Sequence, residues 1–186
     1  AVTPAGITIP AGSLGFMLDK NRIYDLHLGM PGTPTISRGV YLSGTSIAPT
    51  SGTIQNNLIY GMTNEGAQYG IQNNSVNGPV NIYHNTIVLN HTSGASTSNT
   101  NAINMSNFST QTGTDIRNNV FFVTRGGTGI KRIFDVGDAS TTFASNFNVT
   151  WLNAPGGTQT FGQVGSTNYT TLADWVAGTG KDVNSV

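Results

Sequence analysis

Four stretches of the chain superimpose on one another: LDKNRIY (18–24), IQNNLIY (54–60), IYHNTIV (82–88) and IRNNVFF (116–122). Each has an apolar residue, an asparagine three positions later and a second apolar residue two beyond that, so Asn21, Asn57, Asn85 and Asn119 are equivalent. A degenerate fifth copy, SNFNVTW (145–151), offers Asn146 or Asn148 for the same place, with Asn148 taken as the equivalent. Such a repeat constrains the fold strongly, because each unit must bury its apolar face on its neighbours. The spacing within a unit adds a second constraint. Ile116 and Phe121 are five apart, an odd separation that sends two side chains to opposite faces of a flat strand. Both face one core only if the chain turns a corner between them.

Between these copies runs a second recurrent strand, RGVYLSG, YGIQNNS, NAINMSN and KRIFDVG, which aligns Val40, Ile71, Ile103 and Ile133 at spacings of 31, 32 and 30. Short β-type runs separated by Gly, Asn and Ser clusters at this period predict coils of strands rather than helix pairs. The fold expected is all-β: a right-handed parallel β-helix of about four to five coils with protruding loops. Asn is expected to take the left-handed conformation at each corner, and equivalent amides about 4.8 Å apart are expected to bond as a ladder. Asn21, Asn57, Asn85, Asn119 and Asn148 are therefore structural corners.

One domain is expected over residues 1–186, with a leading strand or cap at 1–15, coils over 16–170 and a short helix at 171–180. The stretches 91–101 and 106–114 are rich in Ser, Thr, Asn and Gly and predict loops. In TTLADWVAGTGKDVNSV, Thr170 or Thr171 caps, Asp174 lies in the first turn, Leu172, Trp175 and Val176 give an apolar face, and Gly178 stops the run. The chain also reads as a possible excerpt of a longer polypeptide.

Charged residues make up 9% of the chain, against roughly 25% in an ordinary domain. Eight basic and eight acidic residues give zero net charge, so no basic face is expected to meet nucleic acid or an anionic membrane. No run approaches the ~18 apolar residues of a membrane span. The absence of cysteine removes disulfides and thiol chemistry. His27, His84 and His91 are too irregular for a metal site, and no cofactor is expected.

The best acid–base cluster is KRIFDVGD, with Lys131, Arg132, Asp135 and Asp138. A lyase or glycosidase on this scaffold needs carboxylates converging with a base or with each other, so Asp115, Asp135 and Asp138 are the residues to follow. Glu65, the sole glutamate, sits in a polar loop, and RGGTG (125–129) reads as a turn. Tyr24 and Tyr60 each follow an inward isoleucine and are expected to face outward, as candidates for stacking on sugar rings.

The IxNNxIY and NIYHNTIVLN strands, the SNFNVTW segment and the closing LADWVAGTGKDVNSV together resemble right-handed parallel β-helix repeat regions of large secreted and cell-surface proteins of Bacteroidetes-type bacteria. The likeness spans roughly residues 16–186. It implies a pectin-lyase-like fold and an exported, adhesin-like module, and it carries no reaction. The expectation is a non-catalytic extracellular structural or adhesive module whose partners are a polysaccharide or surface glycan, and a neighbouring domain or identical subunit stacked end to end. A carbohydrate-active enzyme on the same fold, a polysaccharide lyase or glycoside hydrolase, is the alternative.

Overall fold

The asparagine repeat marks a corner that recurs in every coil. The computed structural model describes residues 4–26, 36–44, 49–75, 78–92, 96–105 and 110–186. The first sheet contains β1 (Ala5–Ile9), β4 (Ser37–Leu42), β7 (Gln68–Asn73), β10 (Thr100–Met105), β13 (Lys131–Val136), β16 (Gln159–Val164) and an antiparallel edge strand, β17 (Thr167–Tyr169). The second sheet leads into the corner and is formed by β2 (Phe16–Asp19), β5 (Gly52–Gln55), β8 (Val80–Tyr83), β11 (Thr114–Arg117) and β14 (Phe143–Asn146), all parallel. The third leaves it and is formed by β3 (Arg22–Ile23), β6 (Leu58–Ile59), β9 (Thr86–Leu89), β12 (Val120–Val123) and β15 (Val149–Leu152). The chain is an all-β parallel solenoid of about four turns with one short C-terminal helix, α1 (Leu172–Thr179).

The ladder is built in one direction. The Oδ1 of Asn57 accepts from the backbone N–H (2.9 Å) and the Nδ2 (2.8 Å) of Asn21. Asn85 does the same for Asn57, Asn119 for Asn85 and Asn148 for Asn119, at 2.9 to 3.1 Å. The Nδ2 of each of these four also reaches back to a carbonyl of the preceding coil, at Leu18, Ile54, Ile82 and Ile116. Buried amides are thus satisfied on both sides, as a low-dielectric interior demands.

The expected left-handed residue is displaced by one. Positive φ falls on Lys20, Asn56, His84, Asn118 and Phe147, at 54° to 59°, each immediately before the ladder asparagine. The amide must point inward to bond across coils, and the residue before it makes the turn. All five turning residues are exposed, so the position selects backbone shape and not a side chain.

Ile54 with Ile59, Ile82 with Ile87, and Ile116 with Phe121 are fully buried across their corners. In the first sheet two consecutive residues face inward, Gly39 with Val40, Gly70 with Ile71, Ala102 with Ile103 and Ile133 with Phe134, all buried. Register pairs Val40 with Ile71, Ile71 with Ile103 and Ile103 with Phe134. Phe134, rather than Ile133, is therefore the fourth equivalent. The doubled inward pair makes either residue look eligible from sequence.

The stretches read as loops are only partly so. Thr100 and Asn101 belong to β10, and Ser96, Thr100 and Gln111 are buried; residues 93–95 and 106–109 lie outside the described residues. Helix α1 is capped by Thr171 with Asp174 in a capping box and ends at Gly180, φ 69°. Gly178 stays inside the helix, where a Cβ would lie 2.2 Å from the Tyr169 ring. The leading segment supplies β1, a strand paired with β4.

Candidate functional site

Because the first-sheet strands turn two residues inward, the positions on either side of that pair point outward. Parallel register then aligns them coil by coil. One row runs Arg38, Tyr69, Asn101, Arg132 and Thr160; the other runs Tyr41, Gln72, Asn104, Asp135 and Gln163. Most of them, with Ile36, Asn74, Asn99 and Met105, line a groove of about 710 Å³, within the ~300–1,000 Å³ usual for small-molecule sites.

The groove is polar and its centre is cross-linked. Arg38 Nε donates to Gln72 Oε1, Gln72 Nε2 to Asn104 Oδ1 (2.8 Å), and Asn104 Nδ2 to Asp135 Oδ2 (3.1 Å). Asn101 Nδ2 donates to the same oxygen at 2.7 Å, while Arg132 Nη1 stands 3.9 Å from it. The Arg38 guanidinium lies 4.5 Å from the Tyr41 ring centroid. Burial lowers the Arg38 pKa from its ordinary value. Burial, and then the Asp135 carboxylate, push the Tyr69 phenol up. Two arginines against one aspartate give the lining a net charge of +1.

Some of this polarity has no protein partner among the described residues. Arg132 and Asn101 are buried, yet Arg132 Nε donates no hydrogen bond and Asn101 Oδ1 accepts none, and the buried Asn74 Oδ1 is likewise unpaired. Each such orphan costs about 1–3 kcal/mol, and each atom is closed to solvent.

The aspartates do not gather. Asp135 is in the groove beside Arg132. Asp138 is on a turn, accepting from the Ser140 N–H (2.8 Å) and Thr110 Oγ1 (2.7 Å), which hold its carboxyl below the usual range. Asp115 is on the second sheet, paired with Arg117 Nε at 2.7 Å and accepting from the Tyr83 hydroxyl at 2.7 Å. Lys131 points inward, fully buried, and donates to the carbonyls of Gly127 and Gly156. Glu65 lies 3.4 Å from His91 Nε2, His84 is exposed at its corner, and His27 is outside the described residues. Among the described residues no His, Asp or Glu group has metal-binding geometry. Arg125, in the stretch read as a plain turn, is fully buried and bonded to Asn64 O, Ser96 Oγ and Thr100 Oγ1; burial lowers its pKa to about 10.

Tyr24 and Tyr60 lie on the outer face just beyond the third-sheet strands β3 and β6. Their rings stack on each other at 5.3 Å and 18°, and Arg22 Nη2 donates to Tyr60 Oη at 3.1 Å. Stacking covers one face of each ring, and Tyr24 stays 50% exposed. The same outward row continues through Val88, Phe122 and Trp151, the last 54% exposed. Tyr41 and Tyr69, by contrast, sit in the groove. The regular period of the second recurrent strand aligns Tyr69 with Arg38 and Tyr41 with Gln72, but it fixes their face only once two inward residues per coil are known.

The chain matches no protein-family model, no curated protein and no solved structure.

Proposed function

We propose that the protein is a non-catalytic β-helix module that binds a glycan along the first-sheet groove. The observation that carries this reading is the pair of aligned rows in which Tyr41 and Tyr69 stand among Arg, Asn and Gln side chains along one groove. Aromatic rings cover the C–H faces of sugars while amides and guanidinium groups meet their hydroxyls. Tyr24 and Tyr60 are a secondary contact, since each covers one ring face of the other. The same proposal places the module in an exported bacterial surface protein of the Bacteroidetes type with a pectin-lyase-like fold. It rests there on the resemblance of the repeats and on the low charge; no helix among the described residues is long and apolar enough to cross a membrane.

A carbohydrate-active enzyme is the second reading, favoured by Asp135 beside Arg132. Among the described residues that line the groove Asp135 is the one carboxylate, whereas glycoside hydrolysis generally employs two. A glycan array run with and without calcium, beside an assay for unsaturated and reducing-end products, separates the readings. Binding without turnover, lost at least tenfold in Tyr69→Ala, is expected. Turnover abolished by Asp135→Asn would establish the enzyme instead.

A further inference from the structure

The two ends of the solenoid are unlike. At the C-terminal end the chain covers itself. Edge strand β17 pairs with β16, and Trp175 of α1 stacks on Phe134 at 5.1 Å and 8°. Residues 182–186 then re-enter the corner: Asp182 N–H donates to Ser145 O, and Val186 N–H donates to Asn148 O. Ser185 Oγ accepts the Asn148 N–H at 2.8 Å, and Asp182 Oδ1 accepts from Asn148 Nδ2 at 2.9 Å. The ladder is closed there.

The N-terminal end lacks that closure among the described residues. Every later ladder Oδ1 takes two N–H donors from the coil before it, but Asn21 Oδ1 receives none from the described residues. Its Nδ2, besides donating to Asn57 Oδ1, turns to Asp19 O of its own coil at 3.3 Å rather than to a carbonyl of an earlier coil. Beside it a hollow of about 320 Å³ opens between β1 and β3, lined by Ala5, Gly6, Ile7, Ile23, Tyr24 and Leu26 together with the polar Asn21 and Arg22. Ile7 and Leu26 pack on the core from this side yet are only partly buried.

We propose that this end receives one further parallel coil with an asparagine at the ladder position, delivered by polypeptide running directly into β1. An incoming asparagine would supply the backbone and amide N–H donors that the described residues do not give Asn21 Oδ1, and its inward apolar residues would fill the hollow. Copies of the chain do not fit this role. Head-to-tail stacking is obstructed by β17, α1 and residues 182–186, and a head-to-head pair sets acceptor against acceptor with antiparallel strands. The expectation of end-to-end stacking is thereby narrowed to one end and one polarity.

The test joins a copy of residues 113–131, which carries its own corner, directly to Ala5 in place of residues 1–4. A rise in Tm of at least 3 °C and at least tenfold slower hydrogen exchange in β2 and β3 are expected. Both gains should vanish when the copy carries Asn119→Ala. In the unextended chain, β2 and β3 are expected to exchange at least tenfold faster than β14 and β15. Equal protection of the two ends, an extension without effect, or a concentration-dependent dimer of the unextended chain that the extension abolishes would each overturn the proposal.

Discussion

At the scale of single residues the ladder asparagine is the irreplaceable unit. Asn119 is fully buried; its Oδ1 accepts the Asn85 backbone N–H and Nδ2, and its own Nδ2 donates to Ile82 O and Asn148 Oδ1. Asn119→Ala leaves several of these groups unpaired, at about 1–3 kcal/mol each. The Asn99 side chain accepts one long bond, from the Ile130 N–H at 3.4 Å, at the groove rim. Chemical denaturation is therefore expected to show Asn119→Ala costing at least ~2 kcal/mol more than Asn99→Ala, given that several groups lose partners in one case and one in the other. Equal midpoints and slopes for the two variants would contradict the ladder. Which residues share a corner is legible in the sequence, because apolar residues five apart reach one core only when the chain bends at the Asn between them. Which of them takes positive φ is not, since Lys20 and Phe147 are poor advertisements for a left-handed turn.

At the scale of the element the first-sheet strands carry the information that sequence patterning hides. Strict alternation would make Gly39 and Gly70 outward-facing fillers. They face inward, where a Cβ at Gly70 would lie 2.4 Å from Ile87 Cγ2 and 2.6 Å from the Ala102 carbonyl oxygen. The next coils admit Ala102 and Ile133 at the same place, so the restriction is local. Gly70→Ala is expected to destabilise by about 1–3 kcal/mol through overpacking, and Ala102→Gly by about 1 kcal/mol or less, both read by thermal unfolding. The groove is illegible for the same reason. Without the doubled inward pair, Arg38 and Tyr41 cannot be assigned to one face, and Arg132 and Asp135 appear only as neighbours in KRIFDVGD. The helix is legible from its capping signals, but Gly178 reads falsely as its end because a sequence does not show the Tyr169 ring that needs that glycine.

At the scale of the molecule the core changes character along its axis. Near the N-terminal end it is aliphatic, with Ile9, Ile23, Val40, Ile54 and Ile59; at the other end Phe121, Phe134, Phe161 and Trp175 meet ring against ring. Trp175 is fully buried and donates its Nε1–H to Asp182 Oδ2 at 2.9 Å, tying the aromatic stack to the residues that close the ladder. Trp175→Ala is expected to cost about 3–5 kcal/mol and to expose β14 and β15 to hydrogen exchange before the rest of the solenoid. Uniform loss of protection along all coils would show instead that the stack unfolds as one unit. A solenoid stabilised mainly between neighbouring coils predicts the graded outcome.

The row of turning residues has a consequence of another kind. Lys20, Asn56, His84, Asn118 and Phe147 hold one backbone shape, project into solvent, and succeed one another at the spacing of hydrogen-bonded strands, about 4.8 Å. A basic, two amide, an imidazole and an aromatic side chain already occupy five equivalent sites. The edge of the solenoid is thus a straight track of interchangeable side chains, a line along which chemistry can be rewritten one tooth at a time while the amides behind it keep the coils in step.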